Sequence, residues 1–257
     1  MKNKILILVS FLLGSTILQA NIFYPSFLKI DPICNSQKQN PIDITPEKIF
    51  ENYFKAIGGR ENIKKIKDVT ITSTASIQGQ QIEVLQLFKL PNLFKSSTTI
   101  PGMGEMINNF DGKKGTIILM GQKQELTGGP LEAVKLQYNL FYELSYKEDK
   151  IKYSLQGIEK LNERDVYKIN LTLSDSTVRI SDYYDVQTGL KVRKSIIVAN
   201  APQGANTQVF DYSNYKEVNG VKFPYTTTAG LMGQNFSFQV QKIEVNKSLS
   251  DDLFIVK

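Results

Sequence analysis

Asp211-Tyr-Ser-Asn-Tyr-Lys-Glu-Val-Asn-Gly-Val-Lys-Phe-Pro-Tyr225 decides the fold class. Asn219-Gly220 are the residue types that accept positive φ at both centres of a two-residue turn, and short alternating segments flank them on either side. Val221, Phe223 and Tyr225 then fall on one face of the returning strand. The stretch predicts an antiparallel hairpin with one face toward a core.

The same period of two recurs along the chain. Val69, Ile71 and Ile77 open one strand pattern, and Ile82, Val84, Phe88 and Leu90 form the next. Tyr167, Ile169, Leu171 and Leu173 alternate with Lys168, Asn170 and Thr172, and Leu190, Val192, Ile196 and Val198 repeat the theme. Phe236, Phe238 and Val240 share a face of the last long strand. Asn162 to Asp165 reads as a further hairpin turn, and Asp185-Val-Gln-Thr-Gly189 as a longer loop with a left-handed glycine.

Helical spacing enters twice. Thr45 is a capping residue, Pro46 suits a first turn and Glu47 complements the helix dipole. Ile49, Phe50, Tyr53, Phe54 and Ile57 then form one apolar stripe that Gly58-Gly59 ends. Arg60 to Lys67 predicts a second short helix, and Leu131 to Phe141, after Gly128-Gly-Pro130, a third. The resulting expectation is an α+β chain, mostly β. A curved antiparallel sheet of about ten or eleven strands, an incomplete β-barrel, wraps around one or more helices in a single domain over residues 45–257.

Residues 1–20 read as a secretory signal. Lys2 and Lys4 precede an apolar run from Ile5 to Leu18, about 14 residues, where a membrane span needs roughly 20. Cleavage after Ala20 fits, although Leu18 is large for its place. An uncleaved anchor is the other reading, and the length of the run argues against it. Residues 21–44 mix Pro, Asn, Gln and Ser and predict a poorly structured tether. Cys34 follows Asp31-Pro-Ile33 rather than small residues, so it reads as a lone thiol and not a lipid anchor. The expected location is exported, most simply the periplasm, with association to an outer membrane as an extension.

Composition excludes several chemistries. The 257 residues include no histidine and one cysteine, which removes Ser-His-Asp and Cys-His sites, H-E-x-x-H zinc sites, cysteine zinc clusters and an internal disulfide. No dinucleotide, Walker or nucleophile-elbow motif is present. Glu148-Asp149 and Asp251-Asp252 are adjacent carboxylates that point apart, so they read as solvated loop charge. No catalytic residue, metal ligand set or cofactor is therefore expected; carboxylate-only catalysis is not strictly excluded. Without residues 1–20 the chain has 29 basic and 25 acidic residues, +4, spread with no basic stripe, so no nucleic-acid partner is implied.

The candidate ligand-binding residues are apolar. Val84, Phe88, Phe236 and Phe238 would line the inward face of the sheet, as core or as cavity wall according to how far the helix fills the concave side. Met103 and Met106, within Ile100-Pro-Gly-Met-Gly-Glu-Met106, read either as a mobile greasy lid or as a surface loop tucked into the core. Met120 and Leu231-Met232 share that ambiguity.

Four segments carry a resemblance: Glu51-Asn-Tyr-Phe-Lys-Ala-Ile-Gly-Gly59, Tyr183-Tyr-Asp-Val-Gln-Thr-Gly-Leu190, Asp211 to Tyr225, and Ile243-Glu-Val-Asn-Lys-Ser-Leu-Ser-Asp-Asp-Leu-Phe254. Together they resemble the LolA-like group of outer-membrane lipoprotein-sorting proteins, over nearly all of residues 45–257. They are also similar to the C-terminal extension of some pitrilysin/insulinase-type zinc peptidases, whose zinc site a chain without histidine lacks. The resemblance implies an incomplete antiparallel barrel closed by helices. It also implies a non-enzymatic periplasmic binder of lipid or acylated lipoprotein, with transient membrane contact at most. In such carriers a basic residue influences closure; Arg60, Arg164, Arg179 and Arg193, together with many lysines, are candidates that no motif separates. The alternative is an exported protein-interaction module with a filled core, accessory to an envelope or peptidase complex.

Overall fold

The computed structural model describes residues 44–77, 79–101, 104–145, 151–173, 178–198, 206–231 and 234–255. The expected signal segment, nearly all of the tether, Cys34, Met103, Met232 and Glu148-Asp149 lie outside those residues.

Helix α1 (Pro46–Ala56) begins as its sequence requires. The Thr45 hydroxyl accepts a hydrogen bond from the Lys48 amide at 3.3 Å, with Pro46 in the first turn. At the other end the Gly58 amide bonds the Lys55 carbonyl and the Gly59 amide the Phe54 carbonyl, the paired bonds of a Schellman cap. Gly58 and Gly59 adopt φ of 120° and 89°, which a side chain would resist. Helix α2 (Arg60–Lys64) is shorter than the expected span to Lys67.

Among the described residues thirteen strands follow: β1 (Asp68–Ile77), β2 (Gln80–Lys89), β3 (Leu93–Ile100), β4 (Gly104–Phe110), β5 (Gly115–Leu119) and β6 (Gln122–Leu126), then, after helix α3 (Gly128–Gln137), β7 (Lys152–Leu161), β8 (Arg164–Thr172), β9 (Val178–Asp185), β10 (Lys191–Val198), β11 (Asn206–Val218), β12 (Val221–Leu231) and β13 (Gln234–Val245). They form one sheet in the order β6-β5-β4-β3-β2-β1-β13-β12-β11-β10-β9-β8-β7. Every adjacent pair is antiparallel. Two meanders, β1–β6 and β7–β13, are thus joined along the β1–β13 seam, and the chain crosses from one sheet edge to the other through α3 and a 3₁₀ turn at Tyr142–Leu144.

The count exceeds the ten or eleven expected because β5 and β6 are five residues each, and Gln-Lys-Gln-Glu-Leu126 has no apolar alternation to mark it. Among the described residues β6 and β7 end the sheet without pairing to each other, so the expected incomplete barrel is an open sheet rather than a barrel. Ile100 and Met106, read as ends of a loop, are strand residues in the β3–β4 hairpin, with Met106 opposite Thr98.

Asn219 and Gly220 take φ of 51° and 76° at the β11–β12 turn, as their types allow. This turn also receives α1: the Lys222 amide donates to the Ile57 carbonyl at 2.8 Å, and Asn62 Nδ2 to the Gly58 carbonyl at 2.9 Å. The apolar stripe of α1 thereby faces the sheet. Phe50 meets Tyr184 of β9 edge-on at 5.8 Å, and on the other side Tyr138, just after α3, stacks on Phe94 of β3 at 3.7 Å. A single apolar cluster contains α1 and residues of both meanders, including Phe88, Ile117, Ile169 and Ile243. Among the described residues no helix is long and apolar enough to cross a membrane.

Candidate ligand cavity

The helices leave part of the concave face uncovered. Between α1, residues 137–142 and strands β1, β2 and β10–β13 lies a cavity of about 220 Å³. Phe88 on β2 and Lys191 on β10 both line it. Those strands are five positions apart in the sheet order, roughly 24 Å if the sheet were flat. A space this small touches both only because the sheet curves around it.

The lining has two characters. One wall is mostly apolar, from Ile71, Val84, Phe88, Ala229, Phe238 and Val240 on β1, β2, β12 and β13, with Ser73, Gln86, Lys222 and Thr227 from the same strands. The opposite wall, on β10 and β11, brings Lys191, Lys194 and Tyr212, with Tyr53 of α1 and Tyr142 beside them.

Two inward lysines three residues apart contradict strict alternation, and a bulge explains them. The register slips between Lys191, opposite Tyr184, and Arg193, opposite Tyr183. Val192 takes up the extra position, so Lys191 and Lys194 share the concave side. Arg193 is left on the other face, where it makes paired bonds to Asp211 at 2.5 and 2.9 Å.

The lysines are 6% and 5% exposed, and two fully buried carboxylates, Glu143 and Asp182, stand near them. Lys191 is ion-paired with Glu143 Oε1 and donates to the Tyr142 hydroxyl at 3.3 Å. The Tyr184 hydroxyl donates to the same carboxylate oxygen at 3.0 Å, and Tyr215 donates to the Lys191 carbonyl at 2.7 Å. Lys194 sits directly opposite Asp182 across the β9–β10 pair, with its ammonium 4.3 Å from the centre of the Tyr142 ring. Among the described residues Lys194 makes no ion pair within 4.0 Å, and neither Asp182 oxygen accepts a hydrogen bond.

The electrostatics follow from this division. Burial works against charge on Lys191, but Asp182 and Glu143 outweigh it and hold its pKa well above that of an ordinary lysine. Burial dominates at Lys194 and lowers its pKa to about 8, with Asp182 opposing the shift and Lys191 adding to it. Burial also raises the phenols of Tyr53, Tyr184, Tyr212 and Tyr215, which stay neutral.

Of the residues singled out from sequence, Val84, Phe88 and Phe238 line the cavity. Met106 and Phe236 do not. They are buried in a second cluster with Ala75, Ile82, Val84, Ile100 and Ala229. Met120 is exposed at the β5–β6 turn. None of the four arginines lines the cavity: Arg60 pairs with Glu51, Arg193 with Asp211, and Arg164 and Arg179 are exposed. Reading the sequence did not single out Lys191, Lys194, Glu143 or Asp182. Two signals were available: Glu143 within the aromatic stretch Phe141-Tyr-Glu-Leu144, and Lys194, which falls between Val192 and Ile196 on the apolar face of its strand pattern.

No family model matches the chain, and no curated protein matches it in sequence. Its fold is found in solved structures. A LolA superfamily protein from Nitrosomonas europaea is similar with a TM-score of 0.55 at 14% identity, over 83% of this chain and 98% of that one. A DUF1329 family protein from Desulfovibrio piger matches with a TM-score of 0.55 at 12% identity, over 81% and 96%. The fold is LolA-like.

Proposed function

We propose that this chain binds lipid through the concave cavity and, as an exported periplasmic protein, carries lipid or acylated lipoprotein toward the outer membrane. The observation that carries the reading is the unfilled space beside α1, walled on one side by Val84, Phe88, Ala229 and Phe238. Burying about 200 Å² of acyl surface there contributes about 5 kcal/mol before the losses of association. The cavity is smaller than the roughly 300–1,000 Å³ of typical small-molecule sites, so it suits one chain, or part of one, rather than several. Nothing in the proposal involves catalysis.

Titration with a fluorescent fatty acid tests it. Phe88→Asp puts a charge in the apolar wall, and Ala229→Leu narrows the space without adding polarity; each is expected to weaken uptake at least tenfold in protein that keeps its circular dichroism. Unchanged uptake in both variants would move the ligand elsewhere. No uptake by the unaltered protein would favour the protein-interaction reading, with the outer edges of β6 and β7 as the surfaces to map by crosslinking.

A further inference from the structure

The two lysines of the cavity are not equivalent, and the difference bears on what a ligand must carry. Lys191 already has its counter-ion in Glu143 and its rings in Tyr53, Tyr142 and Tyr184. Lys194 lines the same wall, is equally buried, and lacks an ion pair among the described residues. The Tyr142 ring meets the Lys194 ammonium, but a desolvated ammonium without an ion pair is costly, and a ligand anion would supply one. Resting on the acyl-site reading above, we infer that the cavity takes a single apolar chain ending in a carboxylate, with that head group seated on Lys194 Nζ and the tail along the β1–β2–β12–β13 wall.

Charge and size narrow the head group. Among the described residues two cations of the lining lack an ion pair, Lys194, which is buried, and Lys222, which is exposed, and two buried carboxylates, Glu143 and Asp182, stand close to Lys194. A monoanion there has the buried Lys194 beside it, whereas a dianionic phosphate monoester would bring a second charge against Asp182 and Glu143 with only the exposed, water-screened Lys222 left for it. A bulky head would not share about 220 Å³ with a chain. A free fatty acid meets these conditions. Burial already lowers the pKa of Lys194 to about 8, so its charge at neutral pH is the one in this wall most in need of a counter-ion.

Calorimetric titration at pH 7 with three ligands of one chain length, dodecanoate, dodecanol and dodecyl phosphate, tests the assignment. The unaltered protein is expected to bind dodecanoate at least tenfold more tightly than dodecanol, with dodecyl phosphate below dodecanoate. In Lys194→Met and Lys194→Gln the ratio of acid to alcohol affinity should fall to about one. Equal affinity for acid and alcohol in the unaltered protein overturns the assignment and leaves the apolar cavity standing, and this holds whether or not the variants fold. A preference that survives both substitutions places the head group elsewhere and overturns it too. Tighter binding of dodecyl phosphate excludes the monoanion argument. If none of the three binds, the acyl-site reading itself fails.

Discussion

Lys191→Met is the substitution whose consequence the structure defines most closely. Methionine keeps the unbranched stem that passes among Tyr53, Tyr142 and Tyr184 and removes only the ammonium. What remains is the Glu143 carboxylate, fully buried, with the Tyr184 hydroxyl as a donor on Oε1 and nothing on Oε2 among the described residues. Breaking a buried ion pair from one side leaves an uncompensated charge and costs about 3–5 kcal/mol. For a chain of this size that corresponds to a fall in Tm of roughly 6–20 °C. Glu143→Leu should cost a similar amount by stranding the lysine. The double variant should be more stable than either single one, because an apolar pair of similar volume replaces two charges that each required desolvation. Urea unfolding at pH 7 is the assay, with an unchanged m value as the check that the denatured state is comparable. Single variants costing under about 1 kcal/mol, or a double variant equal to the sum of the singles, would refute the buried ion pair as a structural element.

Stability should also rise with pH through the lower end of the lysine range. Lys194 has a pKa of about 8 in the folded chain and an ordinary value of 10.5, so between these limits the unfolded chain holds the extra proton and stability increases, by an amount on the order of 3 kcal/mol. Above about pH 10 the sign reverses, because Tyr53, Tyr138, Tyr184, Tyr212 and Tyr215 have raised values and unfolded phenols ionise first. Urea midpoints measured from pH 7 to 11 should therefore pass through a maximum near pH 9–10, and Lys194→Met should flatten the rising limb; a monotonic fall from pH 8 would contradict the buried, unpaired lysine. Gly58→Ala should lower Tm by several degrees, since a Cβ there would collide with the Gly220 carbonyl at a φ of 120°. An unaltered melting curve for that variant would mean that α1 is not fixed on the β11–β12 turn.

What could be read from the sequence was whatever local chemistry decides alone. The Thr45 cap, the Gly58-Gly59 end of α1 and the Asn219-Gly220 turn depend on residues within a few positions of one another, and each has the conformation its residue types dictate. Alternation likewise marked strands with one apolar face. It failed for β6, where Gln122 to Glu125 offer no apolar residue, and around Ile100–Met106, where glycines and methionines suggested a loop although Ile100 and Met106 pair within a hairpin. Those segments become strands through neighbours already in place, and that is tertiary information.

The polar wall escaped a period-two reading for a more particular reason. In Leu190-Lys-Val-Arg-Lys-Ser-Ile-Ile-Val198, simple alternation puts Val192 with Ile196 on the inner face and leaves Lys191 with Arg193 outside. The bulge at Val192 reverses that for the first residue only. Lys191 turns inward beside Lys194 while Arg193 stays outside on Asp211. A bulge is set by how the β9–β10 loop closes, with Asp185 Oδ1 accepting from the Gln187 and Thr188 amides and the Gly189 amide returning to the Asp185 carbonyl. The loop motif was visible, but its effect on the next strand's register was not. An inward lysine there is tolerable only because Glu143, distant in sequence, arrives on the 3₁₀ turn after α3 to pair with it. Each half of the pair looks like a mistake without the other: an acid in an aromatic run, and a lysine on an apolar strand. Of the two lysines Glu143 pairs with Lys191 alone, so Lys194, which simple alternation already places inward with Ile196, faces the cavity with a charge that no ion pair among the described residues neutralises.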